Sequence, residues 1–345
     1  MAELEDVRIR DCRRVLAPSE LKARHPASEA ARATVLAARE AVRAVFDGRD
    51  DRLIVVADTC FIHDVPAALE YAGRLAAVAR ETADRLLVLM RTYFEKPRTT
   101  VGWRGFLNDP HLDGTFDMEE GLTQARDLLL AVTARGLACA TEMLDPISPQ
   151  YIADVIALGA IGARTAESQT HRALASGVSM PVAFKNGTAG DVQVAVDALV
   201  SARQEHSFFG IDQAGNSCVV HTTGNPDGAL VLRGGRGRPN YDAASVAAAR
   251  RSMEAAGLPP RILVDCSHAN SGYDHTRQPA VWADVLAQRR GGEAAIRGLM
   301  IESNLEAGRQ DLRADRTALR HGVSVTDACI DWATTERLLA QAYEA

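Results

Sequence analysis

The stretch Leu53-Ile54-Val55-Val56-Ala57-Asp58-Thr59-Cys60-Phe61-Ile62-His63-Asp64 decides the fold. Leu53–Ala57 is apolar without a break, as in a strand covered on both faces. Polar residues follow at its C-terminal end. Asp64 then stands where it can cap a helix running to Arg80. A second apolar run, Leu86–Met90, comes after that helix. The same unit recurs along the chain. Further strands are expected at Ala138–Leu144, Ala160–Ala163, Pro181–Phe184, Ala229–Leu232, Arg261–Asp265 and Arg297–Glu302. Helical patterns fall between and after them: Asp117–Arg135, Pro149–Leu158, Ser168–Ser176, Gly190–Arg203, Asp242–Ala256, Pro279–Gln288 and Thr334–Tyr343. Gly177 and Gly257 are expected to stop two of these. Eight strands, each followed by a helix, predict an α/β fold, a closed (β/α)8 TIM barrel with right-handed parallel connections. An open doubly wound sheet shares this periodicity and stays as the alternative.

Two stretches lie outside the repeating unit. Residues 1–50 hold an arm and one long helix, Ser28–Phe46, read as a regulatory or oligomerisation extension of a catalytic barrel spanning 51–345. Within the barrel, about 207–221 alternates on either side of Gln213-Ala214-Gly215-Asn216, a hairpin signal inserted before the sixth strand.

Composition bounds the function. The chain has 345 residues, 47% hydrophobic and 24% charged, in the range of globular proteins. A net charge of −6 argues against a general nucleic-acid or anionic-membrane surface. No apolar run nears the roughly 20 residues a membrane span needs. No apolar signal core opens the chain, so a cytoplasmic location is expected. Six cysteines without a close CxxC pair read as reduced thiols. Cys139 and Cys218, in apolar runs, are expected in the core. Of 39 basic side chains only Lys22, Lys96 and Lys185 are lysines. Arginine forks and compact, tunable ammonium groups are not interchangeable, so lysine is expected where arginine fails.

Barrel enzymes carry their chemistry at the C-terminal strand ends. Arg91, Lys96, Arg98, Arg164, Lys185 and Arg233 all fall there. Like charges that converge need anionic ligands, which suits small phosphorylated or carboxylated molecules. The competing reading pairs some of them with Glu95, Glu142 or Glu167. Cys60, His268, Glu302 and Asp327 form a second set at neighbouring ends. Sulfur, nitrogen and oxygen donors together suit Mn²⁺, Fe²⁺, Co²⁺ or Zn²⁺. His171 is expected to partner a loop or an interface, and Trp103, Trp282 and Trp332 to anchor packing.

Several motifs together resemble one family. They are Lys96-Pro97-Arg98-Thr99-Thr100-Val101-Gly102-Trp103, Gly162-Ala163-Arg164-Thr165, Phe184-Lys185-Asn186-Gly187-Thr188, Leu232-Arg233-Gly234-Gly235, Ser267-His268-Ala269-Asn270-Ser271 and Thr326-Asp327-Ala328-Cys329-Ile330. Nearly the whole chain resembles the class I 3-deoxy-D-arabino-heptulosonate 7-phosphate (DAHP) synthases, of the type regulated by aromatic amino acids. The resemblance implies condensation of phosphoenolpyruvate with erythrose 4-phosphate, the first step of the shikimate pathway. It implies that Arg91, Arg104, Arg164, Lys185 and Arg233 hold phosphoenolpyruvate, with Glu142 ordering a water. Arg98 and Thr99 would hold the aldose phosphate, and Lys96 would be the catalytic lysine. Cys60, His268, Glu302 and Asp327 would bind one divalent metal ion. An aromatic amino acid effector, bound through the arm and the hairpin, and a homodimer or homotetramer are implied as well.

This chain departs from the family at the first strand end. The usual pattern there is Gly-Pro-Cys-Ser-Ile-His-Asp; here it is Asp58-Thr59-Cys60-Phe61-Ile62-His63-Asp64. The departure leaves two alternatives open. One is a paralogue of a secondary-metabolite pathway using another aldose phosphate. The other is a catalytically weakened binding or regulatory homologue. Gly210 occupies a hairpin position where a side chain that helps select the effector is expected. A disulfide between Cys60 and Cys329 is expected on oxidation of the metal-free protein.

Overall fold

The computed structural model describes residues 4–312 and 316–345; the first three residues of the expected arm lie outside them. The elements are α1 (Pro18–Arg24), α2 (Glu29–Asp47), β1 (Leu53–Phe61), α3 (Val65–Glu81), β2 (Leu86–Tyr93), α4 (Met118–Thr133), β3 (Ala138–Glu142), α5 (Pro149–Ile152) and β4 (Leu158–Ile161). They continue with α6 (Gln169–Gly177), β5 (Val182–Lys185), α7 (Gln193–Ala202), β6 (Ser207–Ile211), β7 (Ser217–His221) and β8 (Gly228–Leu232). The chain closes with α8 (Ala243–Ala255), β9 (Ile262–Asp265), α9 (Gln278–Arg290), β10 (Ile296–Glu302) and α10 (Trp332–Tyr343).

Eight parallel strands close in the order β1-β10-β9-β8-β5-β4-β3-β2, and β6-β7 form a separate antiparallel pair. The closed barrel replaces the open-sheet alternative. Closure turns on β1, which pairs with β2 on one side and β10 on the other. All nine residues of β1 are buried, which explains its unbroken apolar start. Its side chains still alternate. Ile54 and Val56 pack in one hydrophobic cluster with Val42, Val45 and Phe46 of α2, while Val55 and Ala57 pack in the other, among the surrounding helices. The long N-terminal helix therefore plugs the barrel interior. Ser28 caps it by accepting from the Ala31 amide, and Gly48 ends it at φ +71°. The boundary expected at residue 50 thus crosses a shared core.

Local expectations needed some correction. The helix expected over 149–158 ends as α5 at Ile152, runs on as a 3₁₀ turn over Ala153–Val155, and Leu158 opens β4. β4 starts two residues before the expected Ala160, because Leu158 pairs with Ala140 of β3 and is buried there. Gly177 is the last residue of α6 and not a stop beyond it. The helix α1 carries no long periodic pattern; packing of buried Leu21 holds it. Cys139 is fully buried, but Cys218 sits half-buried on the exposed hairpin and not in the core.

Candidate active site

The strand register builds the site. Glu302, Asp58 and Arg91 are in-register neighbours on β10, β1 and β2. They lie side by side across three strands, and all three are buried. Arg91 Nε approaches Asp58 Oδ2 at 2.5 Å, an ion pair whose N–H is not aligned for a hydrogen bond. Arg91 Nη2 donates to Glu302 Oε1 at 3.0 Å, while Nη1 is buried without a partner. Its guanidinium also lies 4.2 Å from the Tyr93 ring centroid. Burial pushes the Asp58 carboxyl up against the pull of Arg91.

β1 then breaks register between Asp58 and Phe61, and Cys60 takes φ +66°. His268 and Tyr273, after β9, also have positive φ, +54° and +61°. Non-glycine residues rarely hold this conformation, and such strain gathers at functional sites. Cys60 is buried; burial pushes its thiol up, but the neighbouring Cys329 thiol and the Lys96 cation together bring it below the usual value. Both thiols are free.

Ligand atoms of Cys60, Glu302 and Asp327 all lie within 4.8 Å of one another. One soft and two hard donors at that spacing fit a borderline divalent ion. His268 stands outside this group, with Nε2 3.6 Å from Glu302 Oε1. Its Nδ1 faces Asp265 Oδ2 at 3.0 Å and the Ser267 hydroxyl at 2.7 Å. A carboxylate behind an imidazole fixes its tautomer and orientation, as metal-ligating histidines require. Asp265 is fully buried and also receives Lys185 Nζ at 2.8 Å. Burial would raise its carboxyl, but Lys185 and His268 hold it well below the usual range.

A cavity of about 340 Å³ opens here, lined by Lys96, Arg164, Arg233, His268, Glu302 and Asp327 among others. Lys96 pairs with Asp327 and lies 4.3 Å from the Phe61 ring centroid. Three of the six expected cations, Lys96, Arg164 and Arg233, reach the cavity wall. Lys185 and Arg91, 4% and 1% exposed, lie behind it. Arg98, Thr99 and Arg104 are exposed on the loop after β2, where Arg98 Nε donates to Trp103 O at 2.8 Å. Glu142 is buried with Oε1 unpartnered, as a water-ordering carboxylate would be. Three of the six cations find carboxylates, but not Glu95, Glu142 or Glu167: Arg91 meets Asp58 and Glu302, Lys96 meets Asp327, and Lys185 meets Asp265. Glu95 instead meets the Ser148 hydroxyl, and burial beside Asp145 raises it to about 7.

Tyr273 and Arg309 also line the cavity and were not anticipated. Arg309 sits in the loop after β10, whose return to the barrel mouth depends on the pairings of Gly308 with Cys329 and Arg309 with Ser324, while Tyr273 sits in the turn after β9, its amide donating to His268 O at 2.7 Å. His171 bonds the loop carbonyl of Leu144 at 2.8 Å, as expected of a loop partner. Trp282 is fully buried, Trp332 packs edge-on against Tyr71, and Trp103 Nε1 donates to Asp109 O.

A second cavity of about 340 Å³ lies between the arm, α5 and the hairpin, lined by Lys22, Arg39, Gln150, Asp154, Phe208 and Val220 among others. Lys22 Nζ donates to Gln213 Oε1 at 2.8 Å, tying α1 to the hairpin turn. A Cβ on Gly210 would stand 2.9 Å from Val220 Cγ2, on the wall of this cavity.

A family model described as "DAHP synthetase I family" matches residues 26–340. The chain is 52% identical over 341 residues to the Tyr-sensitive phospho-2-dehydro-3-deoxyheptonate aldolase of Escherichia coli K12, covering 99% of this chain and 96% of that one. It is 50% identical over 337 residues to the Phe-sensitive enzyme of the same organism, covering 98% and 96%. The solved structure of phospho-2-dehydro-3-deoxyheptonate aldolase from Francisella tularensis superposes with a TM-score of 0.95. Its identity is 43%, and the match covers 97% of this chain and 98% of that one.

Proposed function

The chain belongs to the DAHP synthetase I family, and from that membership we propose that it condenses phosphoenolpyruvate with erythrose 4-phosphate and water to give DAHP and phosphate. The observation that carries this reading is the cavity at the barrel mouth, where Lys96, Arg164 and Arg233 face a thiol-and-carboxylate ligand set. Arg164 and Arg233 supply planar forks for phosphate and carboxylate. Lys185 adds a cation from behind, held by Asp265. Arg91 adds a buried N–H, and Arg104, Arg98 and Thr99 stand on the loop beside the entrance, where the last two suit the aldose phosphate.

C3 of phosphoenolpyruvate forms the new bond to the aldehyde carbon, water adds at C2, and phosphate leaves. Lys96 donates a proton to the aldehyde oxygen as negative charge builds there. Glu142 orders the water through its unpartnered Oε1. Phe61 and Asp327 hold the Lys96 ammonium in place. We assign Cys60, His268, Glu302 and Asp327 as holders of one divalent ion, with Mn²⁺, Fe²⁺, Co²⁺ and Zn²⁺ all suited to the donors. Such an ion, when bound, supplies Lewis acidity toward the aldehyde carbonyl.

The second cavity supports an aromatic amino acid effector. Phe208 and Val220 offer apolar walls, while Lys22, Arg39 and Asp154 offer charges for a zwitterion. The exposed Leu4, Val7 and Ile9 of the arm support assembly into a homo-oligomer, which sedimentation would size. Among the described residues no helix is long and apolar enough to cross a membrane, which accords with a cytoplasmic enzyme. The deciding experiment is phosphate release from phosphoenolpyruvate plus erythrose 4-phosphate with Mn²⁺. Release with another aldose phosphate alone would overturn the choice of acceptor, and no release with any would overturn the reaction. Rates with phenylalanine, tyrosine or tryptophan added identify the effector.

A further inference from the structure

Asp58 has no role in the reading above, yet it stands at the centre of the site's charge network. It is fully buried between two in-register neighbours, Glu302 on β10 and Arg91 on β2. Its Oδ1 accepts from the Ser303 amide at 3.2 Å, so the carboxylate is anchored to the β10 end. Its Oδ2 faces Arg91 Nε at 2.5 Å. Arg91 is thereby gripped on two sides, by Asp58 at Nε and by Glu302 at Nη2, 3.0 Å away. Tyr93 covers its face. Of the three guanidinium nitrogens, only Nη2 donates a hydrogen bond; Nε is ion-paired to Asp58 without one, and Nη1 has neither. Arg91 cannot present the two-pronged fork that makes arginine a strong carboxylate or phosphate ligand.

We propose that Asp58 is a positioning residue that commits Arg91 to the metal-ligand side of the site, trading phosphoenolpyruvate affinity for divalent-ion affinity. The proposal rests on the reaction proposed above. The trade follows from charge and geometry. A carboxylate ion-paired with Arg91 beside Cys60 and Glu302 raises the negative potential where a divalent ion binds, and opposes an anionic substrate in the adjoining cavity. It also balances Arg91, which would otherwise repel that ion from the Glu302 side. Removing the charge should therefore shift the two affinities in opposite directions. A residue with a merely structural role would weaken both.

The test uses two readouts that need no turnover. Mn²⁺ affinity is measured on the metal-free full chain by electron paramagnetic resonance. Phosphoenolpyruvate affinity is measured by calorimetry on the Mn²⁺-saturated chain without aldose. Asp58→Asn keeps the shape and removes the charge. It should weaken Mn²⁺ binding about tenfold and tighten phosphoenolpyruvate binding about fivefold. Either affinity unchanged, or both weakened, in a variant with parental circular dichroism overturns the proposal. If Asp58→Asn does not fold, the double exchange Asp58→Gly, Thr59→Pro must show the same opposed shifts. If the parent chain releases no phosphate with any aldose yet shows them, the reaction assigned above fails while the role of Asp58 stands.

Discussion

Lys96 shows how a single residue type is demanded by its surroundings. Its ammonium is held between the Phe61 ring and the Asp327 carboxylate, at the wall of the cavity. Arginine would keep the charge but could not release a proton. Lys96→Arg and Lys96→Ala are expected to lower kcat by more than about a hundredfold, measured as phosphate release. Loss within tenfold would remove Lys96 from its assigned role. Cys60 and Cys329 make a second residue-scale case, with adjoining buried thiols. After chelation and mild oxidation, thiol titration should show this pair lost together with activity. An unchanged thiol count would rule that out. The residue types of the four proposed metal ligands were legible: Cys60, His268 and Glu302 lie at or just after strand ends, which converge in any barrel, and Asp327 lies in the loop after β10. The opposition of Asp58 to Arg91 was not, since it depends on which residues pair across neighbouring strands.

The loop after β2 illustrates what an element contributes. Lys96, Arg98, Thr99 and Arg104 all lie on it, and its path depends on Gly105 at φ +114°. A Cβ there would fall 2.3 Å from Phe94 O and 2.7 Å from Glu95 Cα, both backbone atoms. Gly105→Ala should therefore shift the loop, costing about 2 kcal/mol of stability. A lower Tm with a larger fall in kcat would confirm it; a parental Tm and kcat would refute it. Glu95, on the same loop, supplies a pH signature. Burial raises its carboxyl from 4.5 to about 7. Its folded value lies above its unfolded one, so this contribution to stability is full below about 4.5 and is lost as pH rises through about 7. Glu95→Gln should flatten that decline and gain on the order of 2–3 kcal/mol at pH 8 in urea melts. An unchanged slope between pH 5 and pH 8 would exclude it.

At the scale of the whole molecule, α1 and the hairpin meet at the second cavity, against the flank of the barrel. Lys22, unexplained by composition alone, bridges α1 to Gln213 and lines the second cavity. Lys22→Met should raise the effector concentration needed for half-inhibition several-fold, while an unchanged inhibition curve would separate that cavity from regulation. The chain's own order of residues determined the eight strands, the helix starts at Ser28, Asp64 and Asp242, and the strand-end chemistry. These follow from local periodicity, capping and the position of polar residues after apolar runs, which need no distant partner. Tertiary structure alone decided the rest. Closure depends on β1 meeting β10, far away in the chain. The short helix α1 and the break after α5 follow from packing that local propensity does not encode. Which cations face the cavity and which are held behind it depends on register across neighbouring strands. A shift of one residue there would turn Arg91, Asp58 and Glu302 to the other face of the sheet.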